Sequence, residues 1–177
     1  GVVSMIARNF ESPADANTDN VYELTITATD ADNNSATEDW TVTVTNVNEF
    51  TPVIISNGGD ATAGIAVTEN TTAVTTVAAT DADLTTPTYA LNGGDDGGKF
   101  TINATTGVLT FTAAPDYEDP TDTDVNNTYV VIVRATDGTN TDDQTITVTV
   151  TNENEDNPIK KYKTPVTSAT NEAIIKN

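Results

Sequence analysis

The residues of this chain that could do chemistry are carboxylates, and they fall in a pattern. The protein has 177 residues, 27 of them Asp or Glu against 7 Lys or Arg. The acids are sparse inside the alternating runs and dense where those runs stop. Asp81-Ala82-Asp83 follows the apolar run at 74–79, Asp116-Tyr117-Glu118 precedes a run beginning near Thr128, and Asp137 ends that run. Asn46-Val47-Asn48-Glu49 is a further polar string between two such regions. When loops from distant parts of a sequence meet at one end of a fold, carboxylates of this kind converge, and they repel unless a cation sits among them. Calcium suits an irregular all-oxygen set, taking about 6–8 oxygen ligands, whereas magnesium asks for a tighter octahedron and zinc prefers nitrogen or sulfur.

The chain has neither His nor Cys. A His-containing triad, a His-ligated zinc site, thiol chemistry and a disulfide framework are therefore excluded. Asp116 and Glu118 imitate a glycosidase pair in spacing, but no apolar pocket is suggested that would keep one of them protonated. The chain is expected not to be an enzyme. Its formal net charge of −20 makes nucleic acid and anionic membranes poor partners and divalent cations good ones. Lys160, Lys161, Lys163 and Lys176 all fall near the end, giving a basic tail. No stretch is long and apolar enough to insert into a membrane, and no signal peptide opens the chain, which reads as the interior of something longer.

The elements that must position these acids come in two copies. The segment 6–30 lies over the segment ending at Asp137 at an offset of 107, which pairs Glu11 with Glu118, Tyr22 with Tyr129, Ala28 with Ala135 and Asp30 with Asp137. Beyond that the offset slips by one, and TVTVTNVNE at 41–49 matches TVTVTNENE at 147–155. A period of this length is that of an immunoglobulin-like sandwich and too long for a solenoid turn. Residues 1–49 are expected to be the C-terminal half of one repeat, 50–156 a complete repeat, and 157–177 a tail.

The local pattern is β throughout. Thr41-Val42-Thr43-Val44-Thr45 and Thr145-Ile146-Thr147-Val148-Thr149-Val150 alternate with period two, Val or Ile inward and Thr outward. Tyr22-Glu23-Leu24-Thr25-Ile26 and Tyr129-Val130-Val131-Ile132-Val133 read as their partner strands. The complete repeat should hold about seven strands, at 52–56 with 64–68, 73–79, 87–92, 99–103, 107–113, 127–135 and 143–151. The expected fold is all-β, seven-stranded Greek-key (immunoglobulin-like) β-sandwich repeats in tandem. Residues 1–49 supply only about three strands, half a sandwich. Trp40 and Phe111 read as core fillers, and Asp95-Asp96 and Asp142-Asp143 as solvated turns.

Several of these residues together resemble the cadherin family. Phe100-Thr101-Ile102-Asn103-Ala104-Thr105-Thr106-Gly107-Val108-Leu109, followed by Asp116-Tyr117-Glu118, is similar to the signature F-x-I-x-x-x-T-G-x-I…D-x-E. Thr68-Glu69-Asn70 resembles x-E-N, Ala79-Thr80-Asp81-Ala82-Asp83 resembles A-x-D-x-D, and Ala135-Thr136-Asp137 resembles A-x-D. Asn152-Glu153-Asn154-Glu155-Asp156-Asn157-Pro158 resembles the linker D-x-N-D-N-x-P. Each motif is weak alone; their order and spacing make them specific together.

In that family calcium clusters lie between successive repeats. The resemblance implies an internal joint built from Glu11, the linker residues Asn46, Asn48 and Glu49, and Asp81, Asp83 and Asp137. It implies a second, half-built cluster of Glu69, Asp116, Glu118, Asn152, Asn154, Glu155 and Asp156, and it turns Asp30 toward an upstream repeat. There are departures. Asn9 stands where the second copy has Asp116, Asn46 and Asn152 replace the linker's first Asp, Glu49 and Glu155 its second, and Phe50 replaces an Asn. Fewer carboxylates mean weaker binding.

The expected function is that of an extender in an extracellular, cell-surface adhesin or fibre, with Ca2+ stiffening the joints between neighbouring repeats. Thr-rich, Cys-free, Lys-poor repeats look more like a bacterial adhesin than an animal cadherin. Homophilic or head-to-tail self-association is a further expectation, the tail 157–177 serving as a strand donor or as the start of another repeat. The alternative is a carbohydrate-binding module, for which Tyr89 and Tyr117 are the candidate sugar-stacking rings.

Overall fold

The computed structural model describes residues 2–154. Its first strands are β1 (Val21–Thr29), β2 (Ser35–Thr43), β3 (Val53–Ile54), β4 (Thr62–Thr68), β5 (Ala73–Thr76) and β6 (Ala79–Thr80). They are followed by β7 (Thr88–Leu91), β8 (Phe100–Ile102), β9 (Val108–Phe111), β10 (Thr128–Thr136) and β11 (Thr141–Thr151). The helical content among the described residues is one 3-10 turn, Gly97–Lys99.

The Thr/Val alternation of β11 and the apolar run of β10 determine the sandwich. β-Branched side chains at period two sit well on a pleated surface and make one face apolar. Tyr129, Val131, Val133 and Ala135 of β10 are buried, as are Ile146, Val148 and Val150 of β11. The two strands pair antiparallel from Thr128↔Thr149 to Thr136↔Thr141. β11 takes β4 in parallel on its other edge and β10 takes β7, giving the order β4-β11-β10-β7. A second sheet, β5-β9-β8, supplies Phe100, Leu109 and Phe111 to the same core. The Tyr129 ring meets Phe111 edge-on, centroids 5.2 Å apart and planes at 81°.

Two features of the strands differ from the sequence reading. The run expected at 73–79 is two strands, because the β5-β9 ladder, which carries a bulge between Ala73 and Thr75, ends at Thr76↔Val108 and the chain crosses to pair with β3. The crossing is pinned by Gly107, whose carbonyl accepts the Val77 N–H at 2.8 Å. Gly107 has φ +68°, and a Cβ there would lie 2.0 Å from the Val77 carbonyl oxygen, so glycine is required in the T-G pair. The second difference is in 1–49, where two strands form rather than three. The strand expected at 41–45 starts at Ser35 and ends at Thr43, because β1 and β2 zip fully from Val21↔Thr43 to Thr29↔Ser35. The β1–β2 turn spans 30–34 and the β10–β11 turn 137–140, so the slip of one residue between the two copies lies in that turn.

The β1–β2 hairpin has no facing sheet among the described residues. Trp40, expected in a core, is therefore 45% exposed, whereas Phe111 is buried. Three turn acids also depart from expectation. Asp96 is buried because its carboxylate accepts the N–H groups of Thr123 (2.7 Å) and Val130 (2.9 Å). Asp142 accepts the Ile54 N–H at 2.7 Å. Asp143 receives a two-pronged contact from Arg134, 2.7 and 2.8 Å. Asp95 is exposed, as a turn residue should be. Tyr89 is half-buried with its hydroxyl accepting the Ala79 N–H at 2.9 Å, so it does not stand clear beside Tyr117 as a sugar platform.

Candidate metal centre

Both candidate clusters lie where loops meet at strand ends. In the first, Glu11 follows a short Asx turn in which its N–H donates to Asn9 Oδ1 at 2.8 Å. The polar string 46–50 runs along the Asp81–Asp83 loop. Asn46 Nδ2 donates to the Asp83 carbonyl at 2.8 Å, and the Phe50 N–H donates to Asp83 Oδ2 at 2.7 Å. Asp83 N–H in turn donates to Asp81 Oδ1 at 2.7 Å. These bonds bring one carboxylate oxygen each of Glu11, Glu49 and Asp83 within 4.8 Å of one another. The three come from three parts of the chain: the loop before β1, the string after β2, and the loop after β6.

Asp83 is fully buried and Glu11 half-buried, while Glu49 is exposed. Partial desolvation by the surrounding loops and the neighbouring charges of Glu11 and Asp83 raise the Glu49 carboxyl from its ordinary value. Both oxygens of Glu11, Oδ1 of Asp83 and Oδ2 of Asp81 are buried without a hydrogen-bond partner. Buried acceptors left open in this way are costly, and among the described residues the one ion pair, Arg134–Asp143, lies elsewhere. An all-oxygen set of carboxylates with open buried acceptors fits a hard divalent cation of calcium's type.

Asp81 and Asp137 are not members of that close group. Asp81 braces Asp83. Asp137 caps the β10–β11 turn, accepting the N–H groups of Thr139 and Asn140 at 2.7 Å each. Desolvation alone would raise its carboxyl, but the backbone N–H bonds from Asn140 and Thr139 outweigh it and leave it below the ordinary value. Asn48 meets this turn as well, its Oδ1 accepting Asn140 Nδ2 at 3.2 Å. The same amide group donates to the Phe50 carbonyl at 2.8 Å. Asn140 thus ties string and turn together, a role the sequence reading missed because an Asn in a hairpin turn carries no mark beyond the turn itself.

The second cluster groups Glu69, Asp116 and Glu118, again with one oxygen each within 4.8 Å. Glu69 is fully buried, and both its oxygens are engaged: Oε2 by the Tyr117 N–H at 2.8 Å and Oε1 by the Glu153 N–H at 2.6 Å. The next residue, Asn70, has φ +61° and donates its N–H to the Pro115 carbonyl at 2.9 Å, which explains an Asn after the Glu. Asp116 Oδ1 accepts the Glu118 N–H at 3.0 Å, and Asn152 Nδ2 donates to Glu118 Oε1. Asn154 stands two residues further on, while Glu155, Asp156 and the tail lie outside the described residues. Asp30 is exposed at the β1–β2 turn, where Asn34 holds its carboxylate charged.

Comparison with known proteins agrees with the architecture. Residues 64–151 match the Cadherin domain family model. The solved extracellular domain of Protocadherin GammaB4 aligns at 24% identity and a TM-score of 0.60, over 81% of this chain and 23% of that one. Mouse clustered PcdhgC3 EC1-3 aligns at 24% identity and TM-score 0.61, covering 82% and 46%. Mouse Cadherin-23 EC22-24 gives 22%, 0.54, 80% and 45%. The chain therefore spans less than half the length of these structures, and the likeness is one of fold. No curated protein matches it in sequence.

Proposed function

We propose that this chain is a cadherin-type extender segment of an extracellular protein, in which calcium bound at the joint between residues 1–49 and 50–156 fixes the two parts relative to one another. The observation that carries this reading is the meeting of Glu11, Glu49 and Asp83, with open buried oxygens on Glu11 and Asp83, from the two sides of the joint and the string between them. When bound there, calcium supplies the positive charge that these oxygens otherwise lack. The residues of the chain do the rest. Phe50 N–H and Asn46 hold the Asp83 loop, Asn140 holds Asn48 and the Phe50 carbonyl, and Glu11 closes the set from the other side.

Asp81 and Asp137 complete this joint at longer range. Glu69, Asp116 and Glu118, with Asn152, Asn154, Glu155 and Asp156, form one half of a further joint with a following repeat, and Asp30 one part of a preceding one. The role is mechanical rather than catalytic, a spacer in a tandem array on a bacterial cell surface. Among the described residues no helix is long and apolar enough to cross a membrane.

The test is a calcium titration of the whole chain by calorimetry, with small-angle scattering before and after chelation. Heat of binding with an extended, narrower distance distribution in calcium is expected. Identical profiles with and without calcium, and no binding heat, would sink the reading.

A further inference from the structure

We propose that Asn20 and Asn127 are positioning residues for Glu11 and Glu118, each holding the backbone one residue ahead of its glutamate in the geometry the cation site uses. The inference rests on the calcium reading above and deepens it. It comes from two loops, 15–20 and 122–127, that repeat each other bond by bond.

In the first loop Asp15 accepts the N–H groups of Asp19 (2.8 Å) and Asn20 (3.3 Å). In the second, Asp122 accepts those of Asn126 (2.7 Å) and Asn127 (3.3 Å). Asn20 Nδ2 then donates to the Phe10 carbonyl at 2.9 Å, and Asn127 Nδ2 to the Tyr117 carbonyl at 3.0 Å. Phe10 and Tyr117 immediately precede Glu11 and Glu118. The Asn20 and Asn127 carbonyls accept the N–H groups of Val44 and Val150, each at 2.9 Å, which ties each loop to its hairpin. The Tyr22 and Tyr129 hydroxyls accept the N–H groups of Ala14 and Thr121, each at 3.1 Å.

The backbone repeats too. Thr18 and Val125 have φ +60° and +59°, a conformation that β-branched residues rarely adopt. Asn20 and Asn127 follow at +64° and +66°, where Asn is among the few side chains tolerated. Strain of this kind persists only where surrounding bonds over-determine the conformation. Packing is not the common cause, because the second loop sits on a complete sandwich and the first on a hairpin without a facing sheet. What the two loops share is the Asp that gathers two N–H groups and the Asn that reaches the carbonyl ahead of a Glu. Neither Asp15 nor Asp122 belongs to the close carboxylate groups. Asn20 is 7% exposed and its Nδ2 is committed to the Phe10 carbonyl, while its Oδ1, like that of Asn127, is buried without a partner.

Calcium titrations of the whole chain carrying Glu118→Gln, which takes a carboxylate out of the second cluster, separate this role from a structural one. Asn20→Gly removes the donated N–H while accepting the positive φ without strain. It should weaken binding at the internal joint about tenfold, the effect of losing a residue that orients a metal ligand. Asn127→Gly, which makes the same lesion away from that joint, should leave its affinity within about twofold. Ion-free circular dichroism spectra should match the parent, and if that of Asn20→Gly does not, Asn20→Asp, which also tolerates positive φ and lacks the donated N–H, replaces it under the same criteria. Unchanged affinity in the Asn20 variant overturns the proposal while leaving the calcium reading in place, and so does equal weakening by both Gly variants. A parent chain that binds no calcium removes the calcium reading and this proposal with it.

Discussion

Asp83 and Glu69 are buried to the same degree and differ in how their oxygens are used. Asp83 keeps Oδ1 open and commits Oδ2 to the Phe50 N–H, so Asp83→Asn should lose calcium affinity by tenfold or more, on the order expected for a lost carboxylate ligand. Calorimetry reads this directly. Glu69 has both oxygens on backbone N–H groups, so Glu69→Ala should destabilise the chain even in chelator. The expected loss is about 1–3 kcal/mol for each orphaned N–H, measured by denaturant melts. The titrating groups divide in the same way. The Arg134 hydrogen bond to Asp143, and the backbone bonds that outweigh desolvation at Asp122, hold those carboxyls below their ordinary value of 3.8. Their contribution is full above that value and is lost as pH falls through the lowered one. Glu49 runs oppositely: raised by partial desolvation and by Glu11 and Asp83, it makes the ion-free joint more stable as pH falls through its raised value. Acid titrations in chelator should show a stability maximum within the ordinary carboxylate range, between 3.8 and 4.5, and calcium should shift that maximum toward neutrality.

At the level of elements, the two hairpins are a natural comparison. β10–β11 and β1–β2 share sequence and pairing, yet among the described residues the first is covered by the β5-β9-β8 sheet and the second has no facing sheet. Leu109→Ala in β9, at a fully buried position, should cost about 2–5 kcal/mol. Trp40→Ala in β2 should cost about 1 kcal/mol or less, the scale of its cross-strand pair with Leu24, since no second sheet covers the ring among the described residues. Chemical denaturation of the two variants checks the contrast; similar costs would mean that the β1–β2 face is covered in solution. Strand existence was legible from alternation at β11 and from short runs between turn clusters at β4, β7, β8, β9 and β10. The β5–β6 break and the early start of β2 were not, because a bulge and a full zip are decided by the partner strand.

For the whole molecule, a ligand that binds only the joined form stabilises it by about 2.7 kcal/mol at a hundred times its dissociation constant. Chelation should therefore lower the melting temperature by several degrees, with the β1–β2 hairpin responding most. Hydrogen exchange with and without calcium would locate the effect: protection should drop at 9–11 and 46–50 and stay near its original level in β9 and β10. A uniform drop would place the coupling elsewhere. The net charge of −20 makes the ion-free chain open further at low salt, which scattering at two ionic strengths reads.

The sequence by itself determined the all-β class, the match between residues 6–49 and the segment ending at 155, the lack of His and Cys, and the acids that the proposed ion site draws on. These are legible because strand periodicity and turn chemistry are written within a few neighbouring residues. Only the tertiary structure decided which acids meet. Glu11, Glu49 and Asp83 come together while Asp81 braces Asp83 and Asp137 caps the β10–β11 turn, Glu69 spends its oxygens on backbone, and Asn140 ties the 46–50 string to that turn, which no local pattern marks. Convergence of loops depends on strands that pair across scores of residues, and burial depends on whether a second sheet is there to cover the first. Trp40 shows the limit most simply: it read as a core filler, but its exposure depends on a facing sheet, and none is present among the described residues.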